Sequence, residues 1–197
     1  MNGTTTIKKK KDTQKKATRT KILESCMKVI SLEGVDAVTH RAIGLAANLS
    51  GGVVSYHFKT REDLINETFI FHLQQLEVMS AAYAKKRTQT ATGLVNAVVD
   101  FVKRDQASPH LVRADYEMIL YASRRKNLAM LIKNWEDKIV AVLAEHLMAM
   151  GIPNKDRYAR MIINLMRAFE IECMVNPSLE LDELAKRIRL LLAGIKD

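Results

Sequence analysis

The stretch Thr39–Arg61 is the tightest constraint on what this chain can fold into. It reads as two short helices joined by a tight turn. Thr39 is an N-cap for the first helix, and Ile43, Ala46 and Ala47 give that helix an apolar, small-residue inner face. Asn48 tolerates the left-handed backbone that a tight turn demands, and Leu49 can plug the angle between the helices. Ser50 caps the second helix, which is predicted to run to His57 or Phe58. Helix, turn and freshly capped helix make up the helix-turn-helix pattern, and the same pattern also fits an ordinary helical hairpin.

The rest of the chain is helical by composition. Its 197 residues include only 3 Pro and 8 Gly, and no long alternation of β-branched residues insists on a strand. An all-α protein follows, with 48% hydrophobic residues, enough for one sizeable core or two small ones. The net charge of +9 favours a polyanionic partner, either nucleic acid or an anionic membrane surface. Residues 1–65 hold 12 Lys/Arg against 6 Asp/Glu, whereas residues 66–197 hold 19 against 16, so the excess gathers around the helix-turn-helix pattern. Cys26 and Cys173 sit far apart in apolar helical patterns, as free thiols in a reducing cytoplasm would. There is no apolar run long enough for a membrane span and no secretory signal. His40, His57, His72, His110 and His146 lack metal-ligand spacing, and no phosphate loop or nucleophile motif occurs. The sequence therefore predicts no enzyme, no metal and no cofactor.

Along the chain, residues 1–16 are polar with Lys8–Lys11 in a row, and read as a mobile basic arm. That arm is either a solvated tail or a segment that tracks phosphates or enters a minor groove. Ile22, Leu23, Cys26, Val29 and Ile30 mark one buried face of a helix from Ala17 to Glu33, and Gly34 stops it. Phe58 should be buried against that helix. Thr60 caps a long helix from Arg61 to about Lys86, which connects a first domain to a second. A loop from Thr88 to Gly93 precedes a helix over Leu94–Lys103. Ser108 as cap and Pro109 at the first position begin the next, which ends near Ser123. Further helices are predicted from Asn127 to Gly151, Tyr158 to Met174 and Leu179 to Gly194. Residues 17–62 make a helix-turn-helix domain of homeodomain-like size, and residues 63–197 a larger helical domain.

Laid out this way, the chain resembles the TetR family of bacterial transcriptional regulators. The resemblance rests on Ile22-Leu23 and Gly34, Thr39-x-x-x-Ile43-x-x-Ala46-Ala47, Ser50-x-Gly52, Tyr56-His57-Phe58, and Lys59-Thr60-Arg61-Glu62-x-Leu64. Beyond residue 70 it is weaker, and Tyr116-Glu117 to Arg124 looks like a helix that many members carry with an acidic residue and a closing Ala-x-Arg. Two positions depart from the pattern. Ser55 stands where many members have a tyrosine that touches the DNA backbone, and Asn48 where glycine is usual.

The resemblance implies a cytoplasmic bacterial homodimer, paired through its last two helices. It also implies a double-stranded DNA operator and an unidentified small-molecule effector as partners. By match to the motif, Thr39, Tyr56, His57 and Arg61 position the reader, the last two on phosphates. Ser50, Gly51, Gly52, Val53, Val54 and Ser55 lie at or near the groove-facing helix, with Lys59 in the basic link after it. Val53 can meet a thymine methyl, while His40 and Arg41 can hydrogen-bond base edges. Gly51 and Gly52 each cost roughly 1 kcal/mol against Ala, either because backbone approaches DNA or because Gly52 permits helix packing. Glu117, Met118, Tyr121, Trp135, Met166, Phe169, Glu170 and Cys173 are the candidates for an effector pocket, and plain core is the competing reading for each. The function expected is a repressor released from a pseudo-palindromic operator by its effector. The alternatives are an activator, a DNA-coating protein without ligand control, or an anionic-membrane binder using the lysine run.

Overall fold

A computed structural model describes residues 3–84 and 90–194. Among the described residues there are nine α-helices and no strand: α1 Gly3–Glu33, α2 His40–Ala46, α3 Gly51–His57, α4 Arg61–Ala84, α5 Ala91–Gln106, α6 Pro109–Ser123, α7 Lys126–Ala149, α8 Lys155–Val175 and α9 Leu181–Ala193. The all-α reading holds. A 3-10 turn, Val35–Ala37, links α1 to α2.

Among the differences from the sequence reading are two helix starts and one cap. α1 does not start at Ala17 but at Gly3, so the basic stretch is helical rather than an irregular arm. Lys, Thr, Gln and Ala between Thr4 and Ala17 include no breaker, and helix propensity needs no burial to act. Burial periodicity misses such a segment, because Lys9, Lys10 and residues 12–17 are exposed. α5 starts at Ala91, since the Thr90 hydroxyl accepts from the Gly93 N–H at 3.1 Å and draws Gly93 into the first turn. Ser108 precedes Pro109 as expected but makes no side-chain cap; its carbonyl accepts from Leu111 instead. The expected end of α4 at Lys86 and the start of the loop at Thr88 lie outside the described residues.

The chain divides into two compact units. The first takes the residues up to His72 together with Ala114–Tyr121 of α6, so it is larger than the span 17–62 read from sequence. Its core includes Ile22, Cys26, Ile30, Val38, Ile43, Val54, Phe58, Leu64, Ile65 and Phe69. Burial pushes the Cys26 thiol up to about 11. The second unit takes Leu73–Arg113 and everything from Ala122 onward. There α5, α7, α8 and α9 pack around Leu94, Val95, Val102, Leu147, Ile162, Phe169, Leu184 and Ile188.

Local chemistry fixes the crossing of α2 and α3. Asn48 takes φ 53° at the turn, as its side chain allows. Gly44 lies beneath that turn. A Cβ there would stand 2.9 Å from the Leu49 carbonyl oxygen and 3.0 Å from the Gly51 nitrogen, both backbone atoms that cannot yield. Gly44→Ala should therefore destabilise the protein by about 1–3 kcal/mol, the usual cost of overpacking. Urea titration measures this, and an unchanged midpoint would show that the turn can widen.

Candidate nucleic-acid interface

The reader is assembled from caps. The Thr39 hydroxyl accepts from the Ala42 N–H at 3.0 Å and starts α2. The Ser50 hydroxyl accepts from the Val53 N–H at 3.3 Å and starts α3. At the head of α4 the caps are reciprocal: Thr60 Oγ1 accepts from the Asp63 N–H at 2.9 Å, and Asp63 Oδ2 accepts from the Thr60 N–H at 3.0 Å. Each cap satisfies a backbone donor that a helix start leaves open.

The residues expected to touch DNA fall into two groups. Thr39, Arg41, Ser50, Gly52, Tyr56 and Lys59 are exposed, and Tyr56 keeps 63% of its surface in solvent. Gly51, Val53, Ser55 and His57 are half-buried. Val54 is a correction. It is fully buried and packs in the core, because it lies on the opposite side of α3 from Gly52 and Tyr56. It cannot face a groove.

Two polar residues of the motif are committed to the protein itself. His40 Nε2 lies 2.8 Å from the Phe58 carbonyl oxygen, tying the start of α2 to the end of α3. Arg61 was expected on phosphate. Its Nε donates to the Val38 carbonyl at 2.7 Å and Nη2 to the Val35 carbonyl at 2.8 Å, with Asp36 3.6 Å away. The guanidinium thus spans the 3-10 turn. On the other side of that turn, the Val35 N–H donates to Glu117 Oε2 at 3.0 Å. Gly34 holds φ 86° there, and a Cβ on it would stand 2.9 Å from the same carboxylate oxygen.

Neither Gly51 nor Gly52 is demanded by packing. A Cβ on Gly51 would meet nothing nearer than 3.6 Å, and on Gly52 only the Ser50 hydroxyl at 3.7 Å. Of the two explanations for this pair, helix packing is therefore the one without support. α1 also reaches the reader. Arg19 Nη1 donates to the His57 carbonyl at 3.1 Å, and its guanidinium lies 4.3 Å from the Phe58 ring centroid. Lys15 and Lys59 place their ammonium groups 5.4 and 6.0 Å from the Tyr56 ring centroid. Arg19 and Lys15 were not singled out by the sequence. Their only signal was a register shared with the buried Ile22. Desolvation first, then the charges of Arg19 and Lys15, holds the His57 imidazole below the usual histidine value.

The effector candidates are divided between the two units. Glu117, Met118 and Tyr121 belong to the first unit, where Glu117 holds the turn and Met118 is buried. The other five belong to the second. Phe169 is fully buried in its core and carries the Arg187 guanidinium 5.8 Å from its ring centroid. Met166 packs at the edge of that core. Glu170 is buried, and Cys173 Sγ accepts from Gln106 Nε2 at 3.0 Å. Trp135 is half-buried, and its Nε1 is hidden from solvent without a hydrogen-bond partner among the described residues. Glu172, a further acidic residue, pairs with Arg187 at 2.8 Å, which holds its carboxyl below the usual range.

Residues 22–68 match the family model of bacterial regulatory proteins, tetR family, and residues 89–196 match that of the tetracyclin repressor-like C-terminal domain. The chain belongs to the TetR family. A helix-turn-helix DNA-binding domain followed by a helical C-terminal domain is the architecture of these transcriptional regulators. Solved structures share the fold. A TetR transcription regulator from Haloarcula marismortui superposes with a TM-score of 0.76 at 14% identity, over 91% of this chain and 98% of that one. A transcriptional regulator from Rhodococcus sp. Rha1 gives 0.74 at 18% identity, over 90% and 95%. The fatty acid degradation regulator FadR from Bacillus halodurans gives 0.68 at 19% identity, over 90% and 96%. A comparison with curated proteins finds no match. No described helix is long and apolar enough to cross a membrane.

Within this TetR-family reader the two groups of residues should separate by measurement. Arg61→Ala removes two charge-assisted hydrogen bonds and should cost about 2–3 kcal/mol of stability in urea titration. A flattened salt dependence of DNA binding with no loss of stability would return Arg61 to the phosphates. His57 titrates lower in the folded chain than in the unfolded one, so the unfolded chain takes up the proton first as the pH falls. Stability present above about pH 6.5 is then lost on acidification through that value. His57→Gln should lose less stability than the wild type between about pH 7.5 and about pH 5.5. Equal losses in parallel thermal melts would remove His57 from the account.

Proposed function

We propose that this TetR-family chain is a homodimeric, sequence-specific repressor, released from a pseudo-palindromic operator by a small molecule. The observation that carries the DNA half is α3. It is capped by Ser50, seated on Gly44, and leaves Gly52, Tyr56, Lys59 and the neighbouring Arg41 exposed, within residues 1–65, where 12 Lys/Arg stand against 6 Asp/Glu. Phosphate contacts would come from Thr39, Ser50, Tyr56 and Lys59. Base reading would fall to Arg41 and to close approach at Gly51–Gly52, with Val53 and Ser55 beside them.

Pairing through the last two helices is supported by apolar side chains that the single chain leaves exposed there. Met161, Ile171 and Val175 recur along α8 with Ala168, at spacings of three, four and seven residues, and Leu190 is exposed on α9. A bundle of two such helices from each copy would cover that face. Repression and release are supported by the match of residues 89–196 to a tetracyclin repressor-like domain.

Selection from random duplex DNA followed by footprinting tests the reading. The expected footprint is one short pseudo-palindrome, its half-sites related by the two-fold of the dimer. Uniform protection without sequence preference would instead identify a DNA-coating protein. Gly52→Ala supplies a test with opposite signs. It should raise stability by up to about 1 kcal/mol, because no contact opposes the new methyl, and weaken operator binding at least tenfold. Undiminished binding would show that nothing approaches α3 closely there.

A further inference from the structure

The positive surface beside α3 does not end where the family match begins. α1 continues N-terminal to residue 22 as helix from Gly3. Between Lys8 and Arg19 it holds Lys8–Lys11, Lys15, Lys16 and Arg19 against the single acid Asp12. The described lysines among them gain nothing from burial. The described residues from Lys9 to Ala17 are exposed, and cations near a helix N-terminus face the unfavourable end of its dipole. Lys15 and Arg19 nevertheless fix where the segment lies, beside Tyr56, His57 and Phe58 at the end of α3. Lys9, Lys10, Lys15 and Lys16 follow one another along the helix and are exposed, so a row of basic residues leads away from the reader. From Lys8 to Arg19 the helix spans about 16 Å, or about five base pairs of duplex.

We propose that this N-terminal extension of α1 is a second DNA-contacting element, which grips the phosphate backbone flanking the half-site read by α3. The inference rests on the DNA-reading function proposed above. Its partner is the phosphodiester backbone of duplex DNA, without regard to sequence. Helical form decides between the two uses open to a basic segment. An α-helix is about 10–12 Å across with its side chains, whereas the minor groove is about 6 Å wide, so this segment lies along phosphates and does not enter the groove.

The test uses the full-length protein and the variant Lys8→Gln/Lys9→Gln/Lys10→Gln/Lys11→Gln. Glutamine matches lysine in helix propensity, so the variant should melt as the wild type does. Affinity is measured for the footprinted operator alone and for the same operator extended by about ten base pairs of random sequence on each side. The wild type should bind the extended duplex at least tenfold more tightly, with a steeper dependence on salt. The variant should match the wild type on the bare operator and gain little from the flanks. Its salt slope on the extended duplex should be flatter by about two or more, at about 0.9 for each phosphate it no longer neutralises. Flank dependence retained by the variant, or absent from the wild type, overturns the inference while leaving the reader intact. Failure of both proteins to select any duplex overturns the reader as well. Lysine-dependent binding to phosphatidylserine vesicles, with no flank effect on DNA, overturns the inference in favour of a lipid surface.

Discussion

The peptide unit of Val35 is the point on which the reader depends. Its N–H is taken by a carboxylate from α6, Glu117, and its carbonyl by a guanidinium from α4, Arg61. The turn that carries it joins α1 to α2, so these two bonds set how α2, and α3 seated on it, leave the first helix. A short turn between helices has backbone groups that no helix ladder satisfies. Here side chains from helices distant in sequence satisfy them, and Gly34 makes room by taking a left-handed backbone that a side chain would clash with. The reader is thereby oriented by α4 and α6, and both helices continue into the second compact unit.

Much of this was legible in the sequence because it is local chemistry. Thr39 and Ser50 as caps, Asn48 at the turn, Gly34 as a stop, Pro109 at a helix start and Phe58 as a core anchor each depend on a few neighbours. What escaped is the pairing of residues far apart in the chain. Glu117 and Val35 are separated by 82 positions, Arg61 and Val35 by 26, and His40 and Phe58 by 18. Nothing in spacing or composition announces such pairings. Glu117 consequently read as a lining for an effector, and Arg61 as a phosphate contact. Gly44 escaped for a related reason. Its need is set by backbone atoms across the turn, which only the crossing of α2 and α3 brings near. The helical start at Gly3 escaped because burial periodicity is silent for a segment that buries nothing.

The stretch from Thr39 to Arg61 therefore mixes two kinds of residue. Ile43, Gly44, Val54, Phe58, His40 and Arg61 give the reader its shape. Arg41, Gly52, Tyr56 and Lys59 face outward and are free of that duty by position. A change at any of the first kind opens a cavity, a clash or an unpaired polar group. The second kind can vary without cost to the fold.

The outward group is poor in hydrogen-bonding side chains for a reader of bases. Arg41 is the one long donor on α2, and α3 begins with two glycines and a half-buried valine. Affinity from such a surface has to come largely from charge, and charge by itself does not discriminate sequence. The glycines change that balance. On the proposed reading they would let the α3 backbone approach where a side chain would hold DNA away, which opens contacts sensitive to groove width and thymine methyls. A reader of this kind needs a strong, sequence-independent grip to hold it while weak base contacts select. On the reading proposed above, the basic residues clustered along α1, beside Tyr56, would supply that grip next to the helix that selects.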